Sequence, residues 1–187
     1  MRYGFKTEAK QLALEVRREI GICVAEPFDP ELWAREYGIP LISLHELACT
    51  EDAKRHFLGD RSANWSAALV TNGVGQLIVF NPSHVPSRIR SDISHEAGHV
   101  ILEHPNVTHI SLASGCDAGR VLEDEANELA GELLLPASTA KRLATMGATD
   151  GEVAEAFGIS AGMARWRMNA TGARLIAQRQ RSSIRRP

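Results

Sequence analysis

"SDISHEAGHVILEHP", Ser91 to Pro105, decides how this chain is read. It carries two histidines four residues apart, His95 and His99, with Glu96 beside the first. On an α-helix four residues turn through about 400°, so both imidazoles stand on one face, one turn apart. A single tetrahedral zinc ion can accept both rings at about 2.0–2.1 Å. Glu96, about 100° round the helix from His95, is placed to take a proton from a water at such a metal. Gly98 weakens a helix by about 1 kcal/mol relative to alanine, and room for a second segment to pack close is a reason to have it there. The spacing predicts a helix from Ser87 or Asp92 to His104, closed by Pro105. The competing reading is an amphipathic helix that happens to contain histidines.

A catalytic zinc also needs a third protein ligand and an open position. The segment RVLEDEANELAGELLLP, Arg120 to Pro136, offers candidates. Leu122, Ala126, Leu129, Ala130 and Leu133 form an apolar stripe, and Glu123 and Glu125 fall on its opposite borders. Helical geometry does not choose between these two glutamates. Asn127 lies one turn after Glu123 and can orient a metal-bound histidine, whereas Leu129, one turn after Glu125, offers no hydrogen bond. That favours Glu123. A solvated acidic face is the ordinary reading of such a run, and the neighbouring HExxH displaces it.

The surroundings fit an enzyme of ordinary globular composition. At 187 residues and a formal charge of −2, the chain is long enough to bury a core without staples. Three widely spaced cysteines, Cys23, Cys49 and Cys116, with no CxxC, read as reduced thiols of a cytoplasmic protein. No signal or transit segment is expected at the amphipathic start, and no membrane span. Thr7 can cap a first helix over residues 8–20, and Asp29-Pro30 begins a short one that Gly38 ends. Residues 39–44 read as a strand and 51–58 as a short helix. Residues 67–71 and 76–80 read as a hairpin around Asn72-Gly73. An edge strand is expected at 107–112. The order of helices, small antiparallel sheet and further helices gives an α+β fold.

The two motifs together resemble the ImmA/IrrE family of metallopeptidases. The family pattern of HExxH, then E-x-E-A-[ND]-x-F-A, then L-L-x-P stands here as His95-Glu96-Ala97-Gly98-His99, Glu123-Asp124-Glu125-Ala126-Asn127-Glu128-Leu129-Ala130 and Leu133-Leu134-Leu135-Pro136. The likeness covers about residues 5–170. It implies a gluzincin-like core with His95, His99 and Glu123 on Zn2+ (Mn2+ or another divalent ion in its place) and Glu96 as the catalytic base. It also implies limited proteolysis of a helix-turn-helix repressor, switching on stress, mobile-element or phage-like genes. Leu129 departs from the usual phenylalanine. The long C-terminal sensor segment of some members has no counterpart in this sequence, so the resemblance does not carry a ligand-sensing role over.

All 23 acidic residues lie at or before Glu155, and seven arginines follow it. Residues 1–155 thus hold 14 basic residues against 23 acidic, a charge of −9, and the remainder +7. Within that basic part, residues 150–172 resemble a helix-turn-helix, with Gly158 at the turn, Ser160 as cap, and Arg165 and Arg167 on the second helix. Such arginines can read guanine or grip phosphate, which gives the alternative function, a DNA-binding regulator. The division expected is a peptidase core over 1–137, a helical subdomain over 138–180 and a basic disordered tail over 181–187. His104 is expected to face away from His99, and His109 and Cys116 are read as a surface histidine and an inert thiol.

Overall fold

A computed structural model describes residues 1–59, 65–71, 73, 75–105 and 117–184. The described elements are helices α1 (Phe5–Glu19), α2 (Pro30–Glu36), α3 (Glu51–Leu58), α4 (Pro86–Ile101), α5 (Asp117–Leu134), α6 (Ala137–Met146), α7 (Asp150–Phe157), α8 (Ala161–Ala170) and α9 (Ala173–Ile184), with strands β1 (Leu41–Ser43), β2 (Ala67–Thr71) and β3 (Gln76–Phe80). The fold is α+β. The hairpin β2–β3 is antiparallel, with Leu69 opposite Ile78. The sheet is nonetheless mixed, in order β1-β3-β2, because β1 joins parallel to β3. Gly73 takes φ +86° at the hairpin turn; Asn72, residues 107–112, His109 and Cys116 lie outside the described residues.

Local chemistry explains most boundaries. The Asp29 carboxylate accepts from the N–H groups of Glu31 and Leu32, with Pro30 at the first helical position of α2. Thr149 and Glu152 form a reciprocal capping box at the start of α7, and Ser160 caps α8. Between them Gly158 takes φ +60°. The first helix corrects an expectation: α1 begins at Phe5 and Thr7 lies inside it. Phe5 is wholly buried, and burying an aromatic ring outweighs a cap worth about 1 kcal/mol. The last helix runs to Ile184 and so crosses the expected tail boundary at residue 181.

Helix α5 packs against both α1 and α4, and β2 and β3 lie on α4. Its Leu129, Leu133 and Leu134 join Phe5, Ala9, Ala13 and Val16 of α1 in one core. The buried Arg17 side chain fastens that contact by donating to the carbonyls of Leu133, Cys23 and Glu26. Between α4 and α5 the backbones nearly touch at Gly98, where a Cβ would stand 2.9 Å from the Ala126 carbonyl oxygen. That close approach sets the side chains of α4 opposite those of α5. Among the described residues, no helix is long and apolar enough to cross a membrane.

Candidate metal centre

The contact at Gly98 brings His95 and His99 of α4 to Glu123 of α5. One potential ligand atom from each of the three lies within 4.8 Å of the others. The His95 and His99 Nε2 atoms are 3.1 Å apart. Glu123 places Oε2 3.2 Å from His95 Nε2 and Oε1 3.5 Å from His99 Nε2. Ligand atoms held about 2.0–2.1 Å from a tetrahedral ion are separated by about 3.3–3.4 Å. The donor set therefore fits a tetrahedral divalent metal in both chemistry and spacing, with three protein donors.

The second nitrogen of each ring is also engaged. Asn127 Oδ1 lies 3.1 Å from His95 Nδ1, the partner expected from its place one turn after Glu123. His99 Nδ1 lies 2.9 Å from His104 Nδ1. This second contact corrects the expectation that His104 faces away. Helix α4 stops at Ile101, and Glu103 takes φ +52°, which folds the chain back so that the His104 N–H donates to the His99 carbonyl at 3.0 Å. The signal was present in Pro105, which disfavours helical backbone at the residue before it. Glu125, the rival third ligand, is occupied elsewhere. Its Oε1 accepts from the Arg2 backbone N–H and from Arg2 Nε, both at 2.9 Å, and its Oε2 lies 3.9 Å from His104 Nε2.

Glu96 stands beside this cluster and accepts from the Leu69 N–H of β2 at 3.0 Å. Burial pushes its carboxyl above the usual carboxylate range, against the opposing pull of His95, His99 and the Leu69 N–H. Hydrogen bonds with His95 and His99 hold Glu123 well below that range. Burial lowers His95, but the hydrogen bond and charge of Glu123 and the charge of Glu96 raise it by more, so the ring stands above its ordinary value. The two carboxyls of the site are thus pushed in opposite directions, Glu96 up and Glu123 down. A groove of about 720 Å3 opens beside His95 and Asn127, with Met163 and Trp166 of α8 in its wall.

The sequence profile of the M78 peptidases, described as the IrrE N-terminal-like domain, matches residues 33–169. The chain belongs to this peptidase family. The matched span contains both motif helices and continues through most of α8. No curated protein matches the chain. Among solved structures, a Mycobacterium tuberculosis transcriptional regulator is similar in fold, with a TM-score of 0.53 at 16% identity over 84% of this chain. This chain spans 45% of that neighbour.

The M78 profile reaches α7 and α8, where Arg165, Arg167 and Arg174 are engaged by acidic partners. Arg167 is buried, with Nη1 3.3 Å from Glu128, Nη2 2.7 Å from Glu132 and Nε donating to the Leu135 carbonyl at 3.2 Å. Arg165 and Arg174 both pair with Asp150. The sequence pattern located the two helices and their turn correctly but could not show which face α8 turns to α5.

Proposed function

We propose that the chain is a metal-dependent endopeptidase that takes zinc on His95, His99 and Glu123. Its substrate would be a regulatory protein, a helix-turn-helix repressor, whose limited cleavage releases stress, mobile-element or phage-like genes. The observation that carries the reading is the convergence of two imidazoles and a carboxylate at tetrahedral spacing beside a half-buried glutamate whose carboxyl is raised by burial. Membership of a peptidase family supports it. The fold likeness to a transcriptional regulator agrees with a regulatory setting and says nothing of substrate. In this reading residues 1–137 form the peptidase core, and 138–180 form a helical subdomain that packs α8 on α5. The wide spacing of the cysteines, with no CxxC, supports a cytoplasmic setting in this reading.

A bound zinc supplies Lewis acidity to a water and to the scissile carbonyl. The chain does the rest. Glu96 accepts the proton of the attacking water and returns it to the leaving amide nitrogen as the C–N bond breaks. The Leu69 N–H holds Glu96 in place and ties it to β2. Strand β2 is an edge of the described sheet, and it lies on α4. An extended peptide adding to that edge would lie alongside Glu96 and the metal ligands.

The test is zinc content by elemental analysis in saturating metal, followed by mass spectrometry of a repressor incubated with the loaded protein. One zinc per chain is expected in the wild type and in Glu125→Ala, and none in His99→Ala or Glu123→Ala. Glu96→Gln should hold zinc and lose cleavage by at least 100-fold, the usual scale of general-base catalysis. Zinc-loaded Glu96→Gln that cuts at the wild-type rate would overturn the mechanism. The alternative, a DNA-binding regulator working through α7 and α8, has the helical geometry in its favour and the engaged arginines against it. Affinity for duplex DNA that falls steeply with salt would restore it.

A further inference from the structure

We propose that His104, which faces the Arg2-held carboxylate of Glu125, is the positioning residue that sets the proton of His99 so that its Nε2 is free to bind metal. The proposal rests on the metal reading above and concerns a chain of groups lying behind the ligands. Arg2 holds Glu125 through its backbone N–H and Nε, both at 2.9 Å. Glu125 Oε2 faces His104 Nε2 at 3.9 Å. His104 Nδ1 meets His99 Nδ1 at 2.9 Å, and His99 Nε2 faces Glu123 and His95. Glu125, His104 and His99 are all buried.

Two ring nitrogens 2.9 Å apart share one proton, so the pair has two arrangements. If His104 gives Nδ1–H to His99, then His99 carries its own proton on Nε2, which blocks the metal-facing atom. If His99 gives Nδ1–H to His104, its Nε2 presents a lone pair. The second arrangement requires His104 to carry its proton on Nε2, the atom that faces the Glu125 carboxylate. A buried negative charge favours a proton on the near nitrogen. Glu125 therefore selects the metal-binding tautomer of His99 through His104. On the other side of the site Asn127 does the same for His95 with a carbonyl oxygen that can only accept. In the E-x-E-A-N segment, Glu123 binds from the front and the other two polar residues fix the histidines from behind.

Two measurements on the intact chain test this. The first is zinc affinity by competition with a chromogenic chelator, for wild type, His104→Leu and His104→Asn. Asparagine keeps an acceptor near the position of Nδ1, and leucine keeps only bulk. His104→Leu should weaken zinc binding by about 10–100-fold, and His104→Asn should stay within a few-fold of wild type. Wild-type affinity in His104→Leu, or equal losses in the two variants, would overturn the proposal. The second is long-range 1H–15N NMR of the histidine rings in zinc-loaded wild type, which needs no substitution and stands even where His104→Leu does not fold. The expected spectrum has His104 protonated at Nε2 and His99 at Nδ1; His104 protonated at Nδ1 would overturn the proposal. A wild type that binds no zinc would overturn the metal reading and this one with it. Either of the other failures, with zinc bound, would overturn this one alone.

Discussion

At the scale of single residues, Gly98 shows how the site is assembled. A Cβ there would lie 2.9 Å from the Ala126 oxygen and 3.2 Å from the Ala126 Cα. Both are backbone atoms in the middle of α5, so they cannot step aside as a flexible side chain would. Alanine gains about 1 kcal/mol of helix propensity over glycine, but overpacking a tight contact costs about 1–3 kcal/mol. Gly98→Ala is expected to lower the denaturation midpoint, with a net loss of up to about 2 kcal/mol, and to weaken zinc binding because it pushes Glu123 away from the histidines. A Gly98→Ala protein as stable as wild type, with unchanged zinc affinity, would show that the two helices have slack. The HExxH spacing made the convergence of His95, Glu96 and His99 legible, because placement on a helix depends only on residue number, and Asn127 one turn after Glu123 singled out that glutamate where helical geometry alone did not. His104 was not legible in that way. Its place follows from where α4 ends, and helix ends are set by packing as much as by local sequence.

At the scale of elements, α8 is joined to α5 by charges that a sequence reader assigns to solvent. Arg167 lies buried between Glu128 and Glu132, and Gly131 lets its side chain and Trp166 pass close to the α5 backbone. Removing one member of a buried ionic group leaves the others uncompensated, typically at a cost of about 3–5 kcal/mol. Arg167→Ala should therefore destabilise the protein by several kcal/mol in chemical denaturation, whereas Arg165→Ala on the exposed side should change it by less than about 1 kcal/mol. The starts of α2 and α8 were legible because Asp29 and Ser160 are caps whose chemistry is local, whereas the start of α1 was not, because burial of Phe5 overrode the Thr7 cap. The parallel pairing of β1 was not, because three residues carry little pattern and their partner lies more than thirty positions away. Asp150 provides a second test at this scale. Burial raises its carboxyl, but hydrogen bonds from Arg165 and Arg174 lower it by more, so its folded pKa lies below the ordinary value. A depressed carboxylate stabilises the fold above its unfolded pKa of about 3.9, and that contribution disappears as pH falls through the folded value. Asp150→Asn should thus melt below wild type at pH 7 by an amount worth at most about 1 kcal/mol per exposed pair, and the two should converge as pH falls through the folded value. An undiminished difference in acid would mean that Asp150 acts through something other than its charge.

At the scale of the whole molecule, the charge asymmetry of the sequence looks different once folded. Of the seven C-terminal arginines, Arg167 is buried and Arg165 and Arg174 are paired with Asp150. What reads as a basic appendix is in part internal fastening: Arg167 ties α8 to the acidic α5, and Arg165 and Arg174 tie α8 and α9 to α7. The centre of that body is the α4–α5 contact, and the proposed ligands come from both helices. A metal held there bridges two elements with His95 and His99 only four residues apart on one and Glu123 a full loop later on the other. Binding that requires the native arrangement stabilises it by RT ln(1 + [L]/Kd), about 2.7 kcal/mol at one hundred times Kd. For a chain of this size each kcal/mol moves Tm by roughly 2–4 °C, so zinc at that excess should raise Tm by about 5–11 °C. A chelator should reverse the rise, and His99→Ala and Glu123→Ala should show none of it. A rise of the same size in those variants would mean that zinc stabilises the fold from some other place, and the α4–α5 cluster would lose its claim to be the metal centre.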